Sequence, residues 1–128
     1  MNTNNNRQIS HNIIDHIFHD LLPAQSMTER PEQTALSHRM LDALLDGSIA
    51  LCDAGTGIGK TYAYLAAGAA FLQLCAISGR KFHPIIISTS SIALQNAVQM
   101  EYLPTLSAAL MEDGITSRYQ SISSILSR

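Results

Sequence analysis

Apolar residues along this chain follow two rhythms. Ile13, Ile14, Ile17, Leu21 and Leu22 recur at helical spacing in "HNIIDHIFHDLLP", which predicts a short amphipathic helix closed before Pro23. Leu36, Met40 and Leu44, with Leu41 and Leu45 alongside, predict a second helix with one buried stripe, stopped by Gly47. "AQSMTERPEQ" between them reads as a linker with turn character, and the Asn-rich residues 1–9 as a frayed end. The alanine-rich "GKTYAYLAAGAAFLQLCAIS" predicts a long helix ended by Gly79. "SIALQNAVQMEYL" predicts another, with Ser90 or Ser91 placed to cap it. Two stretches break this rhythm. "SIALCDA" is a brief apolar run after the Gly47 stop, and "PIIISTS" sets three β-branched residues in a row. Both read as buried strands.

The predicted order is helix, strand, glycine-rich loop, helix, strand, helix, the opening of an α/β fold with parallel strands. The tail "EDGITSRYQSISSILSR" has a weak apolar pattern at Ile122, Ile125 and Leu126. With two strands in view, the sheet has an unpaired apolar edge, which predicts a marginal or aggregation-prone chain.

Composition narrows the picture without naming a task. With 128 residues, 46% of them apolar and 14% charged, the chain has the make-up of one globular domain. A net charge of −2 carries no footprint of a protein that coats DNA. Cys52 and Cys75 are too few to hold a four-cysteine iron–sulfur cluster or zinc ion. The polar N-terminus shows no signal peptide. The longest apolar run, "AYLAAGAAFLQLCAI", falls short of the roughly 20 residues that a bilayer requires. The expectation is a cytoplasmic protein with no membrane partner. His16 and His19 lie three apart on one predicted face; with no carboxylate or cysteine cluster to complete a site, they read as surface histidines.

The chemistry concentrates in "AGTGIGKT", where Ala54, Gly55, Thr56, Gly57, Ile58, Gly59, Lys60 and Thr61 give the spacing A-x-x-x-x-G-K-T of a Walker A phosphate loop. Gly55, Gly57 and Gly59 let backbone N–H groups approach an anion without Cβ interference. The helix that follows turns its positive end to the same place. Lys60 would reach the β- and γ-phosphates, and the Thr61 hydroxyl would be a ligand of Mg²⁺. Upstream, the Gln33 amide is able to donate to and accept from the N6/N7 edge of adenine. Downstream, Ser88, Thr89, Ser90 and Ser91 offer hydroxyls and N–H groups suited to a nucleic-acid phosphate, or simply to a helix cap.

"RPEQ", "DAGTGIGKTYAYL" and "IIISTSSIALQ", in this order and spacing, resemble the adenine motif, motif I and motif Ia of superfamily 2 helicases, most closely the DinG/XPD-like branch. The resemblance covers about residues 28–103. It implies a partial RecA-like P-loop NTPase domain over residues 28–128, preceded by a flanking helical segment, residues 1–27. Arg30 and Gln33 would read adenine, and Gly57 to Thr61 would bind the triphosphate. Thr89 and its neighbour Ser90, with Gln95, would lie near the translocating strand. Family members use ATP and Mg²⁺ to move along single-stranded DNA and unwind duplexes.

Asp53 stands where the family usually has Glu, keeping the charge. Nothing after Pro104 resembles the Asp-Glu-Ala-His box that holds Mg²⁺, and no second motor lobe supplies an arginine finger. By the resemblance, then, the chain is the N-terminal, ATP-binding portion of a DNA helicase, inactive alone, with Lys60 and Thr61 as its catalytic residues. The alternatives are a non-catalytic module that binds ATP or a partner, and another P-loop ATPase such as a helicase loader. Tyr62 and Tyr64, just past the loop, read as helix packing.

Overall fold

A computed structural model describes residues 3–53, 55, 59–79 and 84–113. Helix α1, Thr3–His16, runs on through a wider π turn at Ile17–Leu21, and a single 3₁₀ turn follows at Pro23–Gln25. Helices α2, Pro31–Asp46, and α3, Lys60–Ser78, come next. Helix α4, Ile92–Ala97, passes through a second π turn at Val98–Tyr102 into α5, Leu103–Glu112.

The local chemistry of these helices is plain in the residues. Pro31 opens α2 where no N–H is needed. Gly47 and Gly79 end α2 and α3 in the left-handed conformation, at φ +63° and +68°. Ser91 caps α4, its Oγ accepting the Leu94 N–H at 3.2 Å. Two starts and stops depart from expectation. The Asn-rich stretch is helical from Thr3 onward, because the Arg7 guanidinium is fastened to Asp42 and Asp46 of α2. The last helix also continues past Pro104: the Leu103 N–H reaches five residues back to the Val98 carbonyl, and the residue without an N–H follows that widened turn.

The expected α/β fold, a partial RecA-like P-loop NTPase domain with parallel strands, is not what the chain forms. Among the described residues there is no β-strand, and the regular structure is helical throughout. The "SIALCD" and "PIIISTS" stretches have no regular structure and pair with no strand among the described residues. Ile49 and Leu51 are 93% and 97% exposed, and Ile86 is 86% exposed. A strand exists only through a ladder of hydrogen bonds to a neighbouring strand, and among the described residues neither run has one. Of the three isoleucines in the second run, Ile85 is the one that is half-buried, seated on α3 where Gly68 leaves room for it.

The core is a helical one. Ile14, Ile17, Phe18 and Leu22 pack with Leu41 of α2, with Tyr62, Leu65, Ala66 and Ala70 of α3, and with Leu106 and Leu110 of α5. Alanines along α3 let its neighbours approach closely, and half of this helix is buried; by length and hydropathy alone it would also suit a bilayer. Tyr62 meets Tyr102 edge to face, ring centroids 5.0 Å apart, tying α3 to the second π turn. Both Tyr62 and Tyr64 thus serve packing.

Candidate nucleotide site

The glycine-rich loop ends at the start of α3, and the fold brings one distant predicted residue directly against it. Gln33, in the first turn of α2, is buried, and its Nε2 donates to the Gly59 carbonyl at 2.9 Å. Gly59 has φ +81°, and a Cβ there would stand 2.1 Å from Gln33 Nε2. Glycine is therefore required twice over, for its conformation and for the close approach. Four residues on along the same face of α2, the Ser37 hydroxyl donates to the Ala63 carbonyl at 2.8 Å. Two side chains of α2 thus hold two carbonyls of the loop–α3 junction, one helical turn apart.

Lys60 and Thr61 follow Gly59 as the first residues of α3, Lys60 exposed and Thr61 half-buried. The first N–H groups of α3 have no partner within the helix, and the helix dipole adds a partial positive charge there. A lysine, free amides and a hydroxyl at one helix start suit an anionic phosphate chain with its cation. Among the described residues no strand precedes the loop, so the strand–loop–helix setting expected of a Walker A is not found. Gly55 is exposed; Ala54, Thr56, Gly57 and Ile58 lie outside the described residues.

Arg30 is the extended residue at the N-cap of α2, exposed, its carbonyl accepting from the backbone N–H groups of Gln33 and Thr34 at 3.0 and 3.2 Å. Gln33 itself spends one amide hydrogen on Gly59, leaving the other hydrogen and its carbonyl oxygen. Its first role here is to brace the loop. The Thr89 hydroxyl accepts the Ser91 N–H at 3.2 Å, so this part of the serine-rich edge works as a helix cap. Ser90 is exposed, and the Gln95 side chain is half-buried on α4. Sequence reasoning passed over Ser37; a lone small hydroxyl four residues after Gln33 on a buried stripe was its only signal.

His16, the last residue of α1, and His19, in the π turn, are paired with acids. His16 lies between Asp20 and Asp113, and His19 beside Glu29 at 2.6 Å. Among the described residues no group of three or more His, Cys, Asp or Glu is arranged to hold a metal ion. Cys52 and Cys75 form no disulfide.

No protein-family model and no solved structure matches the chain. Over 85 residues it is 39% identical to the ATP-dependent DNA helicase YoaA of Escherichia coli (strain K12), a match covering 66% of this chain and 12% of that protein. Over 94 residues it is 31% identical to the 3′-5′ exonuclease DinG of Staphylococcus haemolyticus (strain JCSC1435), covering 73% of this chain and 10% of that one. The chain is thus related to DinG/YoaA-type helicases through a segment that makes up about a tenth of each relative's length.

Proposed function

We propose that this chain is the ATP-binding, N-terminal portion of an ATP-dependent DNA helicase. Hydrolysis coupled to movement along single-stranded DNA belongs to the whole polypeptide. The observation that carries this reading is the Gln33–Gly59 contact, which sets an adenine-capable amide at the root of a glycine-rich loop beside Lys60. The name of the Escherichia coli relative supports ATP and DNA as the ligands.

In this reading the α3 N–H groups and Lys60 hold the β- and γ-phosphates. Thr61 is the residue that would hold Mg²⁺, which neutralises phosphate oxygens when bound. Arg30 and Gln33 face the base, and Thr89, Ser90 and Gln95 the nucleic-acid strand. What supports the fit is the order of the residues: a glycine packed against the Gln33 amide, followed directly by a cation and a hydroxyl at the start of α3.

Calorimetric titration of the purified chain with ATP and with GTP, both with Mg²⁺, tests this. Saturable ATP binding is expected, weakened at least about tenfold in Lys60→Ala, the worth of a charged hydrogen bond. GTP is expected to bind more weakly, with Gln33→Ala erasing the preference. Equal affinity of the parent chain and Lys60→Ala would remove the loop from the site. Equal binding of ATP and GTP by the parent chain would point to another kind of ATPase.

A further inference from the structure

Away from the loop, α1 and α2 are joined by a short line of titratable groups. His11 Nε2 lies 2.7 Å from Asp42 Oδ1, His11 Nδ1 lies 2.6 Å from His38 Nδ1, and His38 Nε2 lies 2.7 Å from Asp15 Oδ1. The two imidazoles meet edge to edge through these nitrogens, with centroids 4.8 Å apart and planes 23° from parallel. Both are shielded, their side chains 18% and 26% exposed.

Counting protons decides what this line is. It has three contacts, and each requires one hydrogen between two heavy atoms. Ionised carboxylates only accept, and a neutral imidazole carries one N–H. Two neutral rings therefore supply two hydrogens for three contacts. Whichever tautomers they choose, two lone pairs are left facing each other at under 3 Å. A third proton completes the line and leaves one positive charge between two negative ones. A fourth would set two N–H groups, and two cations, nose to nose. Burial pushes the Asp42 carboxyl up, but hydrogen bonds from His11 and Arg7 outweigh it and hold the group below its ordinary range.

We propose that Asp42, His11, His38 and Asp15 form a proton-operated latch that fastens α1 to α2 while the two imidazoles share a single extra proton. The other charged groups around it are Arg7, bonded to Asp42 and to Asp46, and His19, 4.0 Å from Asp15 and paired with Glu29. Arg7 opposes a second positive charge on the pair, and Asp46 and Glu29 balance the cations beside them. The latch loosens on both sides of its window: at high pH when the shared proton leaves, at low pH when a second arrives. It acts on the helix whose first turns brace the glycine-rich loop, since His38 directly follows Ser37.

Long-range proton–nitrogen NMR of the histidine-labelled chain reads the latch directly. Both Nε2 atoms are expected to stay protonated across neutral pH, while the two Nδ1 signals move together in one coupled step. In His11→Gln the His38 signal is expected to lose that step. Two independent titrations, each indifferent to substitution of the other ring, would overturn the proposal. So would saturation of both Nδ1 signals by one equivalent of Zn²⁺ at neutral pH, which would make the gap a metal site. Denaturant unfolding gives a second reading. The ratio of unfolding constants between His38→Gln and the parent chain should fall about tenfold as pH rises through the step, the loss of one charge-assisted hydrogen bond. A ratio that does not change with pH would also sink it.

Discussion

Gly47 and Gly59 show how two glycines with one conformation carry different constraints. Both have positive φ, but open space surrounds the site of a Gly47 Cβ, whereas Gln33 fills that of Gly59. Gly47→Ala should cost about 1 kcal/mol, the price of a left-handed alanine. Gly59→Ala should cost more, about 1–3 kcal/mol, and weaken ATP binding with it. Replacing Gln33 by Ala in the same chain should recover part of that loss, and thermal melts of the two single variants and the double variant measure the coupling. At this scale the sequence was readable where one residue type has one use. Of the two cap candidates, Ser90 and Ser91, it is Ser91 that caps α4, and Gly47 and Gly79 end their helices as the residues indicated. Ser37 escaped notice because a hydroxyl on a buried stripe acquires its partner only from a neighbouring helix.

Between elements, histidine–carboxylate pairs do much of the joining. His16 ties the end of α1 to Asp113, just past α5. Hydrogen bonds to Asp20 first and Asp113 second raise its basicity above the ordinary 6.5, against a smaller effect of burial. A raised value means that protons favour the folded state. This contribution is complete below pH 6.5 and is lost as pH climbs through the raised value. The ring is partly exposed, so screening holds the effect to under about 1 kcal/mol. Unfolding of the parent chain and of His16→Gln, compared across that interval, should show the parent's advantage shrinking as pH rises; a widening gap would refute the assignment. Helices were legible because their signals are local: an apolar stripe along α2, alanine-rich composition in α3, and glycine stops at Gly47 and Gly79. The two supposed strands were not, because an apolar run states a need for cover without stating what covers it. The continuation of the last helix past Tyr102 and Pro104 was not legible either, because nothing local announces a turn wide enough to absorb a proline.

Taken whole, the molecule is well packed on the α1–α2–α3–α5 side and bare along residues 49–51 and 86–87. Changing Leu51 and Ile86 to Thr should leave the melting temperature within the range of ordinary surface changes, about 0.5 kcal/mol. It should also lower light scattering at high protein concentration, because exposed apolar runs drive self-association. A large drop in melting temperature would mean that those side chains pack against something after all. The Tyr62–Tyr102 pair has a practical consequence. The chain contains no tryptophan, so its near-ultraviolet signal comes from a few phenols, and two of these meet where α3 receives the last helix. Burial also raises the Tyr62 hydroxyl above its ordinary 10.0, a hydrogen bond with Thr105 pulling the other way. An alkaline absorbance titration will therefore find this phenol slow to ionise while the helices are docked. The protein carries its own label-free gauge of whether the last helix is docked on α3.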